Sequence, residues 1–156
     1  MIVTGKHDNR LDKYIMRNAP ALEKVKGTLL EHLFPKWFFT MSLEINDVWI
    51  KHFWHTGIHG AYNNAMKSGK TYITGHTHRL QVTPWTDLSG TRYGVECGTL
   101  ADPASPAFLY SENSPKNWQP GFVILDQETF KDGHVDNHFE LVDCTVRKPR
   151  VYGEEI

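Results

Sequence analysis

A short apolar run, Lys70–Thr74, leads through Gly75 into two histidines, His76 and His78, that lie two residues apart. Its β-branched and aromatic residues are typical of a buried strand. Side chains two residues apart share a face only in an extended chain, because the side-chain period of a strand is two. We therefore predict an extended segment from Gly75 to His78 that directs both imidazoles toward one point.

The segments on either side of this strand differ in pattern, and together they predict a mixed α/β fold. Before it, the patterns predict strands at Met1–Thr4 and Asp47–Trp54 and helices at Asn9–Asn18, Pro20–Phe34 and Gly60–Ser68. After it, they predict strands at Leu80–Thr83, Thr91–Cys97, Gly121–Leu125 and Phe139–Val142, with turns at Asp87–Gly90 and Asp126–Gly133. The sequence thus predicts an α/β protein with a β-rich C-terminal half.

Length and composition predict one globular domain over residues 1–156. The net charge of −1 gives no global positive field to attract nucleic acid, so any polyanion would have to be bound locally. The two cysteines, Cys97 and Cys144, are too few and too far apart for a disulfide framework, and we expect reduced thiols. No apolar run approaches the roughly 20 residues of a membrane span, and the N-terminus does not resemble a signal peptide. We expect a cytoplasmic protein without a membrane partner.

Nine histidines are many for this length, and five of them fall between His52 and His78. His55 ends one predicted strand, and His76 and His78 end the next. Neutral imidazole suits Zn, Mn and Fe, so these three side chains predict a metal cluster. The alternative is that they are loop histidines satisfied by hydrogen bonds or water. We expect His52 to be structural, because its side chain would point to the face opposite that of a neighbouring position on the strand.

Three motifs, in the order Gly5-Lys6-His7-Asp8, His55 and Gly75-His76-Thr77-His78, make the chain resemble the calcineurin-like metallophosphoesterase superfamily. The resemblance covers nearly the whole chain but only the C-terminal part of the family's domain. It implies a partial metallophosphoesterase-type sandwich of mixed β-sheet with flanking helices. It also implies divalent metal ions (Mn, Fe or Zn), of which the family holds two and this chain two or fewer.

The resemblance also implies a role for each matched residue. His55 and His76 would bind one metal, and His78 would bind the other. His7 would be the catalytic group beside the phosphate, where it protonates the leaving oxygen or stabilises the developing charge, and Asp8 would orient it. A carboxylate beside an imidazole fixes its tautomer and makes it a usable acid near neutral pH. The other interpretation of Asp8 is an N-terminal helix cap, and both roles are compatible.

The chain departs from the family's pattern at two points. The upstream D-x-H and G-D motifs, which supply the carboxylate that bridges the metals, are absent from this sequence. Lys6 stands where the family has an asparagine ligand, and an ammonium has no lone pair with which to bind a metal. Lys6 either damages the site or replaces a cation by facing the phosphate itself.

These observations leave two hypotheses from different classes. In the first, the chain is the C-terminal part of a metal-dependent phosphoesterase that hydrolyses a phosphate mono- or diester. Its N-terminal half would be supplied by another chain or by an upstream stretch that this sequence lacks. Nucleic acid is then one candidate substrate. In the second, the chain is a non-catalytic remnant that binds a metal or a partner through the same histidines. A structural zinc site is a weaker third hypothesis, because the histidines border glycines rather than a closed cysteine-rich knot.

Overall fold

The computed structural model describes residues 1–5, 8–102, 104–106, 108, 117–145 and 148–156. It is a strand-rich mixed α/β structure, as the sequence predicts. Its helices are α1 (Arg10–Asn18), α2 (Leu30–Leu33) and α3 (Gly60–Ser68). Across these described ranges, no helix is both long enough and apolar enough to cross a membrane.

Seven of the eleven strands that the structure describes follow α3, which gives the strand-rich C-terminal half. The strands are β1 (Ile2–Val3), β2 (Phe39–Thr40), β3 (Ser42–Ile45), β4 (Val48–Lys51), β5 (Thr71–Thr74), β6 (Leu80–Asp87), β7 (Gly90–Cys97), β8 (Gly121–Thr129), β9 (Val135–Asp143), β10 (Arg150–Val151) and β11 (Glu154–Glu155).

The central sheet has five strands in the order β3-β4-β5-β7-β6. The three middle strands, β4, β5 and β7, run parallel, whereas β3 and β6 are antiparallel to their neighbours. Because parallel strands end at the same edge of a sheet, the loops after β4, β5 and β7 lie side by side. This edge is the carboxyl edge of the sheet.

The two faces of the central sheet are covered by different elements. Helix α3 packs on one face, where Gly94 has no side chain and the backbone of Ala61 takes its place. The β8–β9 hairpin covers the other face, and its Val123, Leu125 and Phe139 pack against a core of Val48, Ile73 and Val95. The apolar faces of the strands are thereby buried between a helix and a hairpin.

Strands β1 and β2 form a separate two-stranded parallel sheet. The amide of Ile2 donates to the carbonyl of Phe38 at 2.8 Å, and the amide of Thr4 donates to the carbonyl of Thr40 at 2.9 Å. Val3 borders a cavity of about 170 Å³, whose other walls include Ile50, Ile73 and Cys97. Val3 therefore lies near the carboxyl ends of β4, β5 and β7.

The predicted helix at Pro20–Phe34 is wrong. Only a 3₁₀ turn at Pro20–Leu22 and the single turn of α2 form in this range. Gly27 adopts a left-handed φ of 91°, and the Thr28 hydroxyl donates to two carbonyls of the preceding turn. Helical spacing alone does not hold a helix whose apolar stripe stays largely exposed, as Leu22, Val25 and Leu33 do here.

The predicted helices at Asn9–Asn18 and Gly60–Ser68 are confirmed by α1 and α3. The turn at Asp87–Gly90 is also confirmed, because β6 ends at Asp87 and β7 begins at Gly90. The turn predicted at Asp126–Gly133 begins too early, since β8 continues to Thr129. Strands β2 and β3 were not predicted.

Candidate functional site at the carboxyl edge of the sheet

The loops after the three parallel strands contain the histidines that the sequence singles out. The loop His52–Gly60 follows β4, and the loop Gly75–Arg79 follows β5. In open α/β sheets, ligands bind beyond the carboxyl ends of the strands. The structure therefore brings His55, His76 and His78 to the edge where a ligand site is expected.

The backbone at His76 and His78 is not extended, and that prediction is wrong. Both residues are left-handed, with φ angles of 62° and 58°. Residues other than glycine seldom adopt this conformation, although histidine does so more often than most. Such strain persists only where surrounding contacts impose it, and it concentrates at functional loops. Here the amide of Gly75 donates to the backbone carbonyl of His52 at 3.2 Å, and the amide of Gln119 donates to the backbone carbonyl of His78 at 2.8 Å.

His52 lies against one of the predicted ligands, and the structural role expected of it from the sequence stays a prediction. Its Nε2 shares a hydrogen bond of 3.2 Å with Nδ1 of His76. Gly5 packs directly on the His52 ring, because a Cβ at Gly5 would lie 2.7 Å from its Cε1. Sequence reasoning missed this pair because it depends on β4 and β5 being parallel neighbours, and the only signal was the position of His52 directly after β4.

His55 is held by its backbone and presents one unpaired ring nitrogen. The buried Asn64 side chain accepts from the His55 amide at 2.9 Å and donates to its carbonyl at 3.4 Å. The ring packs on Trp54 with centroids 4.6 Å apart. Nε2 of His55 is buried and has no hydrogen-bond partner within the part of the chain that the structure describes. A buried ring nitrogen in this state is suited to a ligand.

His78 lies among aromatic rings. Its ring centroid is 4.7 Å from that of Trp118 and 5.9 Å from that of Phe108, both at steep angles. These edge-to-face contacts fix the plane of the imidazole. His78 is therefore positioned by residues that come much later in the chain.

A buried ion pair supports the loop that carries His55. Arg79 donates two hydrogen bonds to the fully buried Glu96, at 3.0 and 2.7 Å. The same guanidinium donates to the carbonyls of Thr56 and Gly57, at 3.3 and 2.7 Å. Gln81 also donates to Glu96. Glu96 is thus occupied by structural partners and does not replace the family's missing metal-binding carboxylate.

Of the two predicted catalytic residues, His7 and Asp8, the structure describes Asp8. His7 and Lys6 lie outside the described residues. The Asp8 carboxylate accepts from the Gly5 amide at 2.7 Å, and Gly5 in turn contacts His52. Helix α1 has Asn9 as its N-cap and no side-chain cap, so Asp8 does not cap it. Gly5, at the start of this motif, thus lies beside His52.

The donor chemistry fits a divalent metal, but a complete set of ligands is not assembled. Imidazole nitrogens bind Zn, Mn and Fe, and the buried Nε2 of His55, without a hydrogen-bond partner among the described residues, is such a group. Among the residues that the structure describes, however, no three His, Cys, Asp or Glu side chains are grouped so that they could hold an ion. Joint metal binding by His55, His76 and His78 stays a prediction.

The thiol of Cys97 lies just below this edge and is expected to be chemically inert. Burial, with the charge of Glu96, raises its pKa to about 11. At pH 8 the reactive thiolate is then only about one thousandth of the population. We expect iodoacetamide to label Cys97 in a Cys144→Ser variant far more slowly in the folded protein than in urea, measured by mass spectrometry. Equal rates in the two states would contradict this account of its burial.

Comparison with known proteins finds two phage relatives. The chain is 30% identical to the "Gene 54 protein" of Mycobacterium phage L5 and 31% identical to that of phage D29, each over 139 residues that cover 78% of this chain and 54% of the relative. The chain thus spans about half the length of the curated relatives it matches. Their names state no activity. No protein-family model matches the chain, and no solved structure matches it significantly.

Proposed function

We propose that the chain is the C-terminal part of a calcineurin-like metallophosphoesterase, which hydrolyses a phosphate mono- or diester. The observation that carries this proposal is the meeting of the three motif segments at one carboxyl edge: Gly5 touches His52, His52 bonds His76, and His55 follows the same strand as His52. The fold would then be an incomplete metallophosphoesterase sandwich.

In this proposal His55, His76 and His78 bind metal, and His7 with Asp8 acts on the leaving group. A bound divalent ion (Mn, Fe or Zn) activates water and polarises a phosphate oxygen. The chain's own contribution is to orient the ligands. His52 shares a hydrogen bond with Nδ1 of His76 and so orients that ring. Asn64 and Arg79 hold the backbone around His55.

The ligand set needs carboxylates that the described edge does not offer. Asp8 is bonded to the Gly5 amide and Glu96 to Arg79. Two dications held by imidazoles alone would be poorly neutralised. The proposal therefore includes an N-terminal half supplied by another chain, and a phosphoester substrate, with nucleic acid as one candidate.

The second candidate function is a non-catalytic remnant that binds one metal or a partner. The observation that favours it is the lack, among the described side chains, of any assembled group of three metal ligands. Metal binding without hydrolysis, even when the missing N-terminal half is added, would identify this alternative.

The test combines metal titration with hydrolysis of a chromogenic phosphodiester in the presence of Mn²⁺. We expect wild-type protein to bind Mn²⁺ by calorimetry and His55→Ala and His76→Ala to bind it at least about tenfold more weakly. His134→Ala is the matched control, because His134 pairs with Asp136 on the β8–β9 hairpin. Hydrolysis by the chain alone should be weak. Equal Mn²⁺ affinity in all three variants would refute the metal assignment.

A further inference from the structure

The loop that follows β4 exposes two large apolar side chains at the carboxyl edge of the sheet. Trp54 is 42% exposed and Ile58 is 79% exposed. Between them, a Cβ at Gly57 would meet nothing within 4 Å, so the loop borders open space. Large apolar side chains that are exposed singly are ordinary. Two of them on one short loop, next to the candidate site, form a small surface that a ligand can contact.

Hydrogen bonds hold this loop in its conformation. Arg79 donates to the carbonyls of Thr56 and Gly57 at 3.3 and 2.7 Å, and the amide of Gly60 donates to the carbonyl of Gly57 at 2.8 Å. The guanidinium of Arg79 is itself fixed by the buried carboxylate of Glu96. Because the loop is ordered before a ligand arrives, little conformational entropy is lost when the ligand binds.

The indole of Trp54 lies between a buried ring and the imidazole of His55. Its ring centroid is 5.4 Å from that of Tyr72 and 4.6 Å from that of His55. Tyr72 is 1% exposed, so it is a fixed support for the indole. Nε2 of His55 is buried and has no hydrogen-bond partner among the residues that the structure describes. An exposed aromatic ring therefore lies directly beside one imidazole of the proposed metal site.

The size of this surface fits one planar ring better than a protein partner. A stable protein partner buries about 800 Å² on each side, far more than two side chains provide. A single indole is enough to stack an aromatic ring, and every nucleobase has such a face. Sugar phosphates and phospholipids offer no aromatic face. In a nucleotide one sugar separates the base from the phosphate, so a single molecule can contact both Trp54 and the neighbouring His55.

We infer that Trp54 and Ile58 bind a nucleobase and thereby select a nucleotide ester, either free or within a nucleic acid strand, as the substrate at the carboxyl edge. The inference rests on the proposed function for the phosphate, but stacking of the base requires neither metal nor hydrolysis. Because the net charge of −1 gives the chain no global positive field, the affinity should depend on the base and only weakly on salt.

The test is titration of the full chain with adenosine 5′-monophosphate without added metal, followed by calorimetry and tryptophan fluorescence. Ribose 5-phosphate, which lacks the base, should bind far more weakly. Trp54→Ala should weaken binding of the nucleotide at least about fivefold, and Trp54→Phe, which keeps an aromatic face, should lose less. Ile58→Ser should also weaken binding, and its exposed position leaves the fold intact. Trp37→Ala is the matched control, because Trp37 is a similarly exposed tryptophan in the N-terminal segment.

Three outcomes would overturn the inference. The first is equal affinity of the wild type, Trp54→Ala and Ile58→Ser for the nucleotide. The second is equal binding of adenosine 5′-monophosphate and ribose 5-phosphate, because the base would then contribute nothing. The third is the absence of binding by the wild type both to the nucleotide and to a short single strand of deoxyadenylate. Base-dependent binding by a protein that fails to bind Mn²⁺ would count against the proposed function and leave the base site intact.

Discussion

Gly94→Ala is expected to unfold the protein or to lower its free energy of unfolding by about 3 kcal/mol or more. A Cβ at Gly94 would overlap the carbonyl group of Ala61, well inside van der Waals contact. The Cβ is fixed rigidly to the backbone of β7 and the carbonyl belongs to the backbone of α3, so no side chain can rotate away. The helix must separate from the sheet. Urea unfolding followed by tryptophan fluorescence measures the loss.

Gly57→Ala is the matched control, because nothing lies within 4 Å of a Cβ at that position. It should change stability by no more than about 0.5 kcal/mol. If Gly94→Ala were equally mild, α3 would not pack against β7 as closely as the structure shows. Ala61 and Asn64 of α3 would then lie elsewhere, and so would the loop of His55, which Asn64 holds.

The elements predicted from the sequence are those with strong local signals. Helix α3 ends at Gly69, which adopts the left-handed conformation of a helix C-cap, and β5 is a compact β-branched run. Strands β2 and β3 were missed because their pairing partners, β1 and β4, are set by the tertiary fold. The local pattern also predicted a helix at Pro20–Phe34, which does not form because Leu22, Val25 and Leu33 stay exposed.

Motif order placed the predicted site residues at one edge of the sheet, whereas their local geometry could not be predicted and their joint role stays a prediction. Motif order pointed to His55, His76 and His78, and all three lie at the carboxyl edge. The left-handed backbone at His76 and His78 was not predictable, because contacts from His52 and Gln119 impose it. The bond between His52 and His76 depends on the parallel pairing of β4 and β5. Spacing within one segment carries no information about such contacts.

Arg79→Met is expected to lower the free energy of unfolding by about 3–5 kcal/mol, because it leaves the carboxylate of Glu96 buried without its partner. The Arg79 side chain is 13% exposed and that of Glu96 is fully buried. The substitution also removes the donors to Thr56 and Gly57, so hydrogen exchange in the loop after β4 should accelerate. Chemical denaturation and exchange mass spectrometry measure the two effects.

Two further variants separate the ion pair from general damage. Arg92→Met removes an ion pair with the partly exposed Asp87, and it should have a much smaller effect. The double variant Arg79→Met, Glu96→Leu removes both buried charges, and it should recover part of the stability, since replacing a buried pair with apolar groups is often near neutral. Rapid exchange around His55 should nevertheless persist in the double variant, because the donors to Thr56 and Gly57 are still missing. If the double variant were as unstable as Arg79→Met, the loss would come from the loop bonds rather than from the unpaired charge of Glu96.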